Sequence, residues 1–481
     1  MRYTEGMESF TLPKASPAPL PELASYLAPF APLFRRAQSR ESLERYVTGL
    51  LTDLPRKNCD TIAAAVAGAS TERLQHLLTD ADWNPEQLDE ARVRRLAVVS
   101  PPEGILALDD TGLPKQGKRS VGVQPQYCGA LGKIANCQVV VSAQYVADAP
   151  GSSGPLHWPV SARLFLPERW ATDPSRRDGA HVPEEVVFQT KPQLALTLVD
   201  RAMRWTVPFR YVVADAGYGD NPQFLTGLEA RTLWYVCAVE RTFGVRLPAE
   251  VREAAATAPE QPKGKGRPKL PRAASLHTVE AIAAAQPARD WQTITWREGT
   301  KGALSKQCVA VRVHRATGDP AWGEHGRSTS HARITTGSEG WLLAERPAPG
   351  EEGDAKYYCS NLPADTSLER LVTVAHARWI VEQFYEDAKG ECGLADYQGR
   401  RWDGLHRHLA LAMLTYSFLT LQRHAAAVAD ATTGGFPPLC PPLDLPGHAP
   451  SDPGLVVPGS GPMAHPHRSG QHVPSTQKLT K

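Results

Sequence analysis

Residues 104–110, GILALDD, decide the fold, because an apolar run leads directly into two acids. Such a run predicts a short buried strand. FRYVVADAG, at 209–217, repeats the pattern with a single acid. Between and after these stretches, strand-like and helix-like segments alternate, which predicts a mixed α/β sheet flanked by helices. The other predicted elements are strands at 137–146, 161–167 and 232–240, a helix at 192–205, and a helix in PQFLTGLEA.

Composition narrows the class of protein. The chain has 481 residues, enough for two or three domains, and its apolar content of 42% and charged content of 22% are ordinary for a globular protein. A net charge of +2 gives no global basic signal, so nucleic-acid binding would need local patches. Eight scattered cysteines without a CxxC pair favour a reducing cytosol, and no apolar run approaches the roughly 20 residues that span a bilayer.

The pattern along the chain predicts five segments. An N-terminal helical module, expected to bind DNA, precedes a core of alternating strands and helices. The alternation then gives way to a β-rich insertion with a basic loop, and resumes at a helix that carries Glu382. We expect the insertion strands to stay off the central sheet. The predicted boundaries are 1–97 for the module, 98–240 and 366–427 for the two parts of the core, 241–365 for the insertion and 428–481 for a disordered tail.

Three acids are candidate metal ligands. Asp109 and Asp215 each end a predicted strand, and Glu382 lies on a helix after the insertion. Three carboxylates brought together repel one another unless a cation neutralises them, and hard ions such as Mg²⁺ prefer oxygen ligands. Two such ions about 4 Å apart can assist a phosphoryl displacement. Each acid alone is a weak signal, since a strand-end Asp often caps a turn.

The stretch ARWIVEQFYEDAKGECGL, at 377–394, places charges on one helical face. Arg378, Glu382 and Lys389 are separated by four and seven residues, so their side chains lie within roughly 60° of one another around the helix. An ordinary solvent-exposed ion pair is one interpretation of Arg378 and Glu382. A second interpretation, in which Glu382 is a metal ligand, depends on the other acids of the chain.

Three blocks of sequence resemble bacterial insertion-sequence transposases of the DDE, RNase H-like superfamily, closest to the insertion-sequence-four group and its seven-hundred-and-one type. The blocks are LALDDTGLPKQGKRSVGVQPQYCGALGKIANCQ, VVADAGYGD and RWIVEQFYEDAKGECGLADYQGRRWDGLHRHLAL. The third fits the group's Tyr-x2-Arg-x3-Glu-x6-Lys spacing, except that Ala375 stands at the Tyr position. The resemblance spans roughly residues 45–425, and it implies an RNase H-like fold.

The resemblance also implies an activity and its residues. The chain would be a metal-dependent endonuclease and strand transferase that uses Asp109, Asp215 and Glu382 as catalytic metal ligands for two Mg²⁺ ions, with Mn²⁺ as a substitute. Arg378 and Lys389 would hold phosphates beside the scissile bond. The family pattern Asp-x-Thr selects Asp109 over Asp110, which we expect to be a turn residue. The partners would be the terminal inverted repeats and target DNA, bound by a homodimer in the cytoplasm at the nucleoid, without a membrane.

Further DNA contacts are expected on loops and the insertion. Lys115, Lys118 and Arg119, in KQGKRS, follow the first Asp and could track a DNA backbone, or could form a solvated turn. Arg267, in GKGRPK, has the Gly-Arg-Pro core of a minor-groove hook, or belongs to a solvated loop. Trp296 on the insertion would stack on a flipped base, as the resemblance implies, or would be a core residue.

Two other functions remain to be weighed against a cut-and-paste transposase. A catalytically inactive or domesticated derivative that only binds DNA is disfavoured by the intact acids and favoured by the atypical tail. A phosphotransferase with an Asp nucleophile in LDDTG is disfavoured because Thr111 stands where its second Asp would be.

Overall fold

A computed structural model describes residues 20–147, 156–256, 274–299, 302–317, 335–348 and 350–433. Arg267, and the predicted tail beyond residue 433, lie outside the described residues. Twelve strands of the described residues form one sheet. They are β1 Gly104–Pro114, β2 Gln124–Cys128, β3 Lys133–Val146, β4 His157–Phe165, β5 Phe209–Ala214, β6 Trp234–Val239, β7 Gly244–Arg246, β8 His277–Thr278, β9 Gln292–Gly299, β10 Gly302–Thr317, β11 Thr335–Arg346 and β12 Lys356–Ser360.

The helices of the described residues lie before, between and after these strands. They are α1 Pro21–Leu27, α2 Ala37–Leu51, α3 Cys59–Ala65, α4 Thr71–Thr79, α5 Pro85–Val99, α6 Glu168–Ala171, α7 Pro174–Gly179, α8 Lys191–Arg204, α9 Ala216–Gly219, α10 Pro222–Ala230, α11 Pro248–Ala256, α12 Val279–Ala284, α13 Leu368–His376, α14 Trp379–Gly390 and α15 Trp402–Thr433. Short 3₁₀ turns occur at Ala28–Leu33, Gly129–Leu131 and Ala288–Asp290.

The centre of the sheet has mixed strand directions. β1 pairs with β3 in the antiparallel sense and with β5 in the parallel sense, while β3 also pairs with β4 and β5 with β6. Parallel neighbours need a crossover helix, and α8 and α10 supply helices between successive strands of this half. The predicted α/β fold, an RNase H-like mixed sheet flanked by helices, is confirmed.

The N-terminal helices share a hydrophobic core with the long C-terminal helix α15. The Tyr26 hydroxyl donates to the Leu414 carbonyl at 2.9 Å, and the Tyr46 hydroxyl lies 2.8 Å from His408 Nδ1. Side chains of α2, α4 and α15 belong to one buried cluster with β1 and α14. Helix α4 begins at Thr71, and its N-cap is Ser70, whose hydroxyl accepts from the Arg73 amide.

The insertion joins the central sheet, so the expectation that its strands stay apart is wrong. The predicted strands exist as β9, β10, β11 and β12, but β12 pairs with β6, with Cys359 opposite Cys237. Without β12, β6 would present unpaired backbone groups along its open edge. Burial of Tyr357–Ser360 makes that pairing favourable. Strand pairing between segments this far apart in the chain leaves no periodic signal in the sequence.

A second correction concerns the first acids. Asp109 does not end its strand, and Asp110 is not in a turn, because β1 continues to Pro114. Its last residues are held by β3, with Thr111 opposite Val140. Within the described residues, no helix combines the length and the apolarity needed to cross a bilayer.

Candidate active site

Asp109 and Asp215 lie next to each other on parallel strands. The ladder between β1 and β5 ends with Leu108 opposite Ala214, so the next residue on each strand is an acid. On its other side, Asp109 is opposite Ser142 of β3. The sequence analysis placed both acids at strand ends, but only Asp215 directly follows its strand, whereas Asp109 lies within β1.

The alternation of strand side chains separates Asp109 from Asp110. Ala107 packs in the cluster that contains α14, whereas Leu108 packs in the cluster that contains α8. Asp109 therefore faces α14, and Asp110 faces the opposite side of the sheet. There, Asp110 pairs with Lys191 at 3.0 Å and accepts a hydrogen bond from the Tyr218 hydroxyl at 3.1 Å.

Helix α14 presents the charged face that its spacing predicted. Ile380, Val381 and Phe384 are buried and pack toward the sheet, which fixes the rotation of the helix. Arg378 is its N-cap residue. Glu382 and Lys389 follow on the helix, outside the apolar face that packs toward the sheet. The helix thus crosses β1 with its three charged side chains near the first acids.

Arg378 bridges two of the predicted metal ligands. Its Nη1 donates to Asp109 Oδ2 at 2.9 Å, and its Nη2 donates to Glu382 Oε1 at 2.7 Å. The Glu382 side chain is 66% exposed, against 15% for Asp109, so Glu382 points outward to the guanidinium. The solvent-exposed ion-pair interpretation is therefore incomplete, since Arg378 also binds a partly buried acid 269 residues away.

Lys389 fastens the other end of the same face to β1. Its ammonium donates to the Thr111 hydroxyl at 2.7 Å and lies 5.6 Å from the Tyr385 ring centre. Tyr385 in turn shares a hydrogen bond of 2.5 Å with Ser142, the residue opposite Asp109. Both members of the Asp-x-Thr pair are thus held by cationic side chains of α14.

The paired acids resist ionisation. Burial raises the pKa of Asp109 to about 7, and the Asp215 carboxylate adds to the increase while Arg378 opposes it. Burial also raises the pKa of Asp215, with Asp110 adding to the effect. Burial lowers the pKa of Lys389. Positive charge placed between the two acids would relieve this cost.

Of the three predicted metal ligands, Asp109 and Asp215 are placed to fit a divalent cation, and Glu382 is not. Asp215 Oδ1 is buried and accepts no hydrogen bond from any side chain or amide of the described residues. A buried carboxylate oxygen in that condition suits a hard cation. The described residues contain no group of three acidic, histidine or cysteine side chains arranged around one point, so Glu382 stands apart from the pair. The Arg378 guanidinium lies between Glu382 and Asp109.

Trp296 lines a cavity of about 300 Å³ beside α14. Its ring stacks on His376 at 3.7 Å with an angle of 8° between the planes. Across the cavity, the Arg297 guanidinium lies 3.8 Å from the Trp379 ring centre. The remaining lining residues are Leu304, Lys306, Glu345, Arg346, Asp354 and Lys356.

The predicted basic contacts on the first loop differ from one another. Lys118 and Arg119 are exposed, whereas Lys115 is half-buried and donates to the Tyr397 carbonyl. Burial lowers the pKa of Lys115 to about 8. Lys115 therefore also fastens the loop to the segment after α14.

Sequence patterns did not single out His376 or Glu345. The two pair at 2.8 Å, and Glu345 is almost fully buried behind the Trp296 cavity. An acid at the end of the apolar run WLLAE was the available signal. No sequence signal marked His376, because only its stacking on Trp296 distinguishes it from an ordinary helix residue.

Comparison with known proteins identifies the family. A family model described as DDE superfamily endonuclease matches residues 29–303, more than half of the chain. A second, described as Transposase DDE domain, matches residues 189–418. A protein of Microchaete diplosiphon named "Probable transposase for insertion sequence element IS701" is 28% identical over 217 residues, which is 45% of this chain and 53% of that protein. The chain thus matches about half the length of this curated relative.

The two matching models together extend over both acid-bearing strands and the Glu382 helix. These are the elements that bring Asp109, Asp215 and the α14 face to one side of the mixed sheet. The chain belongs to the DDE superfamily endonucleases, among the relatives of insertion-sequence transposases.

Proposed function

We propose that this chain is the transposase of an insertion sequence and moves it by a cut-and-paste route. It would cleave DNA strands at the element ends to free 3′ hydroxyls, and would then join those hydroxyls to target DNA. The observation that carries the proposal is the Asp109–Asp215 pair beneath the Arg378–Glu382 bridge of α14. A pair of partly buried acids beside partly exposed cations suits a phosphodiester and a divalent ion.

Asp109, Asp215 and Glu382 would hold the cations, with Mg²⁺ as the expected ion. Bound there, divalent cations supply a Lewis acid that activates water and stabilises the leaving oxygen of a phosphodiester. For Glu382 to join the pair, Arg378 must release at least one of its two carboxylate partners. A DNA phosphate is the natural replacement, because a guanidinium binds phosphate with the same two-pronged geometry.

The other residues of the face would position DNA. Lys389 would exchange its bond to the Thr111 hydroxyl for a phosphate oxygen on the far side of the scissile bond. Trp296 would stack on a base displaced from the duplex, with Arg297 and Lys306 at the same cavity available to its phosphates. Lys118 and Arg119, both exposed, would contact the backbone further along.

One observation favours the alternative of an inactive, DNA-binding derivative. Arg378 already pairs with both Asp109 and Glu382, as it would if the chain had lost its metal chemistry. The two functions differ in one measurable property. A transposase cleaves element ends in a cation-dependent reaction, whereas the derivative binds the same DNA and leaves it intact.

The test is strand cleavage by the full chain on a duplex that carries the terminal inverted repeat from the DNA flanking the gene. We expect nicking with Mg²⁺ or Mn²⁺ and none with a chelator. Asp109→Asn, Asp215→Asn and Glu382→Gln should each reduce nicking by orders of magnitude with DNA affinity retained. Glu386→Gln is the matched control, since Glu386 is exposed one turn further along α14. Full activity of Glu382→Gln would refute the proposal.

A further inference from the structure

The hairpin of β2 and β3 carries an exposed apolar surface next to the candidate active site. Tyr127, Leu131 and Ile134 are 66%, 47% and 72% exposed, and Tyr127 is directly opposite Ile134 in the ladder. We refer to these three side chains as the hairpin surface. Large apolar side chains are costly to leave clustered in water, so such a surface points to a partner.

The charge around the hairpin surface indicates the chemistry of that partner. From Thr111 to Ala147 the chain has no aspartate or glutamate, while it carries Lys115, Lys118, Arg119 and Lys133. Lys133 follows the hairpin turn and is exposed, next to Ile134. A purely apolar partner would gain nothing from these cations, whereas a polyanion would pair with them.

Asn136 joins the exposed loop cations to the hairpin. Its side-chain amide donates to the carbonyl of Lys115 at 2.7 Å and to the carbonyl of Gly117 at 2.9 Å. The alternation along β3 places Asn136 on the same face as Ile134. The loop that carries Lys118 and Arg119 is therefore held beside the hairpin surface rather than free to move away from it.

The hairpin also lies close to the α14 face. Gly112 follows Thr111 on β1 and packs against Cys128 of β2 so tightly that a Cβ on Gly112 would lie 2.6 Å from the Cys128 sulfur. Lys389 is near enough to Cys128 for that thiol to act on its pKa. The hairpin thus begins where Lys389 meets Thr111.

We propose that the hairpin surface docks on DNA beside the scissile phosphate, with Tyr127 and Ile134 pressed against an opened base step. Lys118, Arg119 and Lys133 would hold the phosphates on either side. Apolar wedges of this kind open base steps when flanking cations hold the backbone. The inference rests on the proposed function, because it takes DNA as the substrate of this site.

Binding of a duplex carrying the terminal inverted repeat, with 2-aminopurine at single positions around the cleavage point, tests the inference. Measurements in chelator keep the DNA intact. We expect Tyr127→Ala and Ile134→Ser each to weaken binding roughly tenfold, because the stacking contact of the tyrosine ring or the apolar wedge contact of the isoleucine is lost. The salt dependence should not change, because neither side chain touches a phosphate. The 2-aminopurine signal of the opened step should fall toward that of free duplex.

Two variants calibrate this experiment. Val98→Ser removes a side chain that is 80% exposed at the end of α5, and should alter neither affinity nor fluorescence. Lys118→Ala should lower the slope of log affinity against log salt by about one unit.

Three outcomes would overturn the inference. Wild-type affinity and fluorescence in both hairpin variants would show that the surface does not touch DNA. A changed salt slope in Tyr127→Ala would show that its effect passes through the cations. Loss of self-association by the two hairpin variants in sedimentation, with DNA affinity unchanged, would assign the surface to a second copy of the chain.

A different outcome separates this inference from the proposed function. Wild-type protein that binds DNA and opens the base step but never nicks with Mg²⁺ would refute the proposed function while supporting this inference.

Discussion

The guanidinium of Arg378 lies 2.9 Å from Asp109 Oδ2, although 269 residues separate the two in the chain. The same guanidinium holds Glu382, so it pairs with two acids that the proposed function assigns to a cation. Under the proposed function, Arg378 and a divalent ion would compete for the same carboxylates. That competition would link the stability of the site to cation and to DNA.

Arg378→Met should destabilise the cation-free protein, because Asp109 and Asp215 lose the positive charge that offsets their burial. We expect a loss of about 1–2 kcal/mol in the free energy of unfolding, since Arg378 is partly exposed. Mg²⁺ should restore stability more in the variant than in the wild type. Denaturant unfolding with and without Mg²⁺ measures both effects. An equal response to Mg²⁺ in the two proteins would mean that Arg378 and the cation do not compete.

The affinity for divalent cation should increase with pH because of Asp109. Its pKa rises from 3.8 in the unfolded chain to about 7 in the folded protein, so the folded state binds more protons between these values. The Asp109 contribution to stability is therefore present below pH 3.8 and is lost as the pH rises through about 7. A cation displaces that proton, so its stabilising effect should be larger at about pH 8 than at about pH 6.

Thermal unfolding with and without Mg²⁺ at the two pH values tests this second prediction. The Asp109→Asn variant has no titrating group at residue 109, so Mg²⁺ should stabilise it only slightly at either pH. Glu386→Gln serves as the comparison, because it also removes one carboxylate and Glu386 is exposed on α14. A wild-type response that is independent of pH would contradict the assigned role of Asp109.

Lys389→Ala should weaken DNA binding through one lost phosphate contact. The slope of log affinity against log salt should fall by about one unit on every DNA sequence, and cleavage should slow because the scissile phosphate is less well held. Arg204→Ala is the matched control, since Arg204 is exposed at the end of α8, and α8 packs in the core cluster on the opposite face of the sheet. If Lys389→Ala and the wild type had the same salt slope and the same cleavage rate, Lys389 would serve only as a hydrogen-bond donor to Thr111.

Trp296→Ala should slow cleavage more than it weakens binding, because base stacking matters most once a base has left the duplex. The expected loss in stacking is about 1–3 kcal/mol. Trp296→Phe keeps an aromatic face and should retain most of the activity. A 2-aminopurine probe at the displaced base reports the step directly. If the alanine variant opens the duplex like the wild type, the stacked Trp296–His376 pair is structural.

Local sequence determined the elements and the chemistry of this protein. The apolar runs before Asp109 and Asp215 specified buried strands that end in, or pass through, acids. This is possible because strand formation depends on the hydrophobic pattern and the side-chain types of a few neighbouring residues. The spacing of Arg378, Glu382 and Lys389 likewise fixed a common helical face, since helix geometry is the same everywhere. The family blocks extended these predictions to a function.

Tertiary structure decided which of these side chains meet. No local pattern indicates that Arg378 bridges Asp109 and Glu382, that Lys389 reaches Thr111, or that β12 closes the edge of β6. The contact of Arg378 with Asp109, that of Lys389 with Thr111 and the pairing of β12 with β6 all join distant segments of the chain, and their free energy comes from burial and charge neutralisation that exist only in the folded chain. The sequence therefore supplied the acids and the cations, and packing of α14 across β1 decided how they pair.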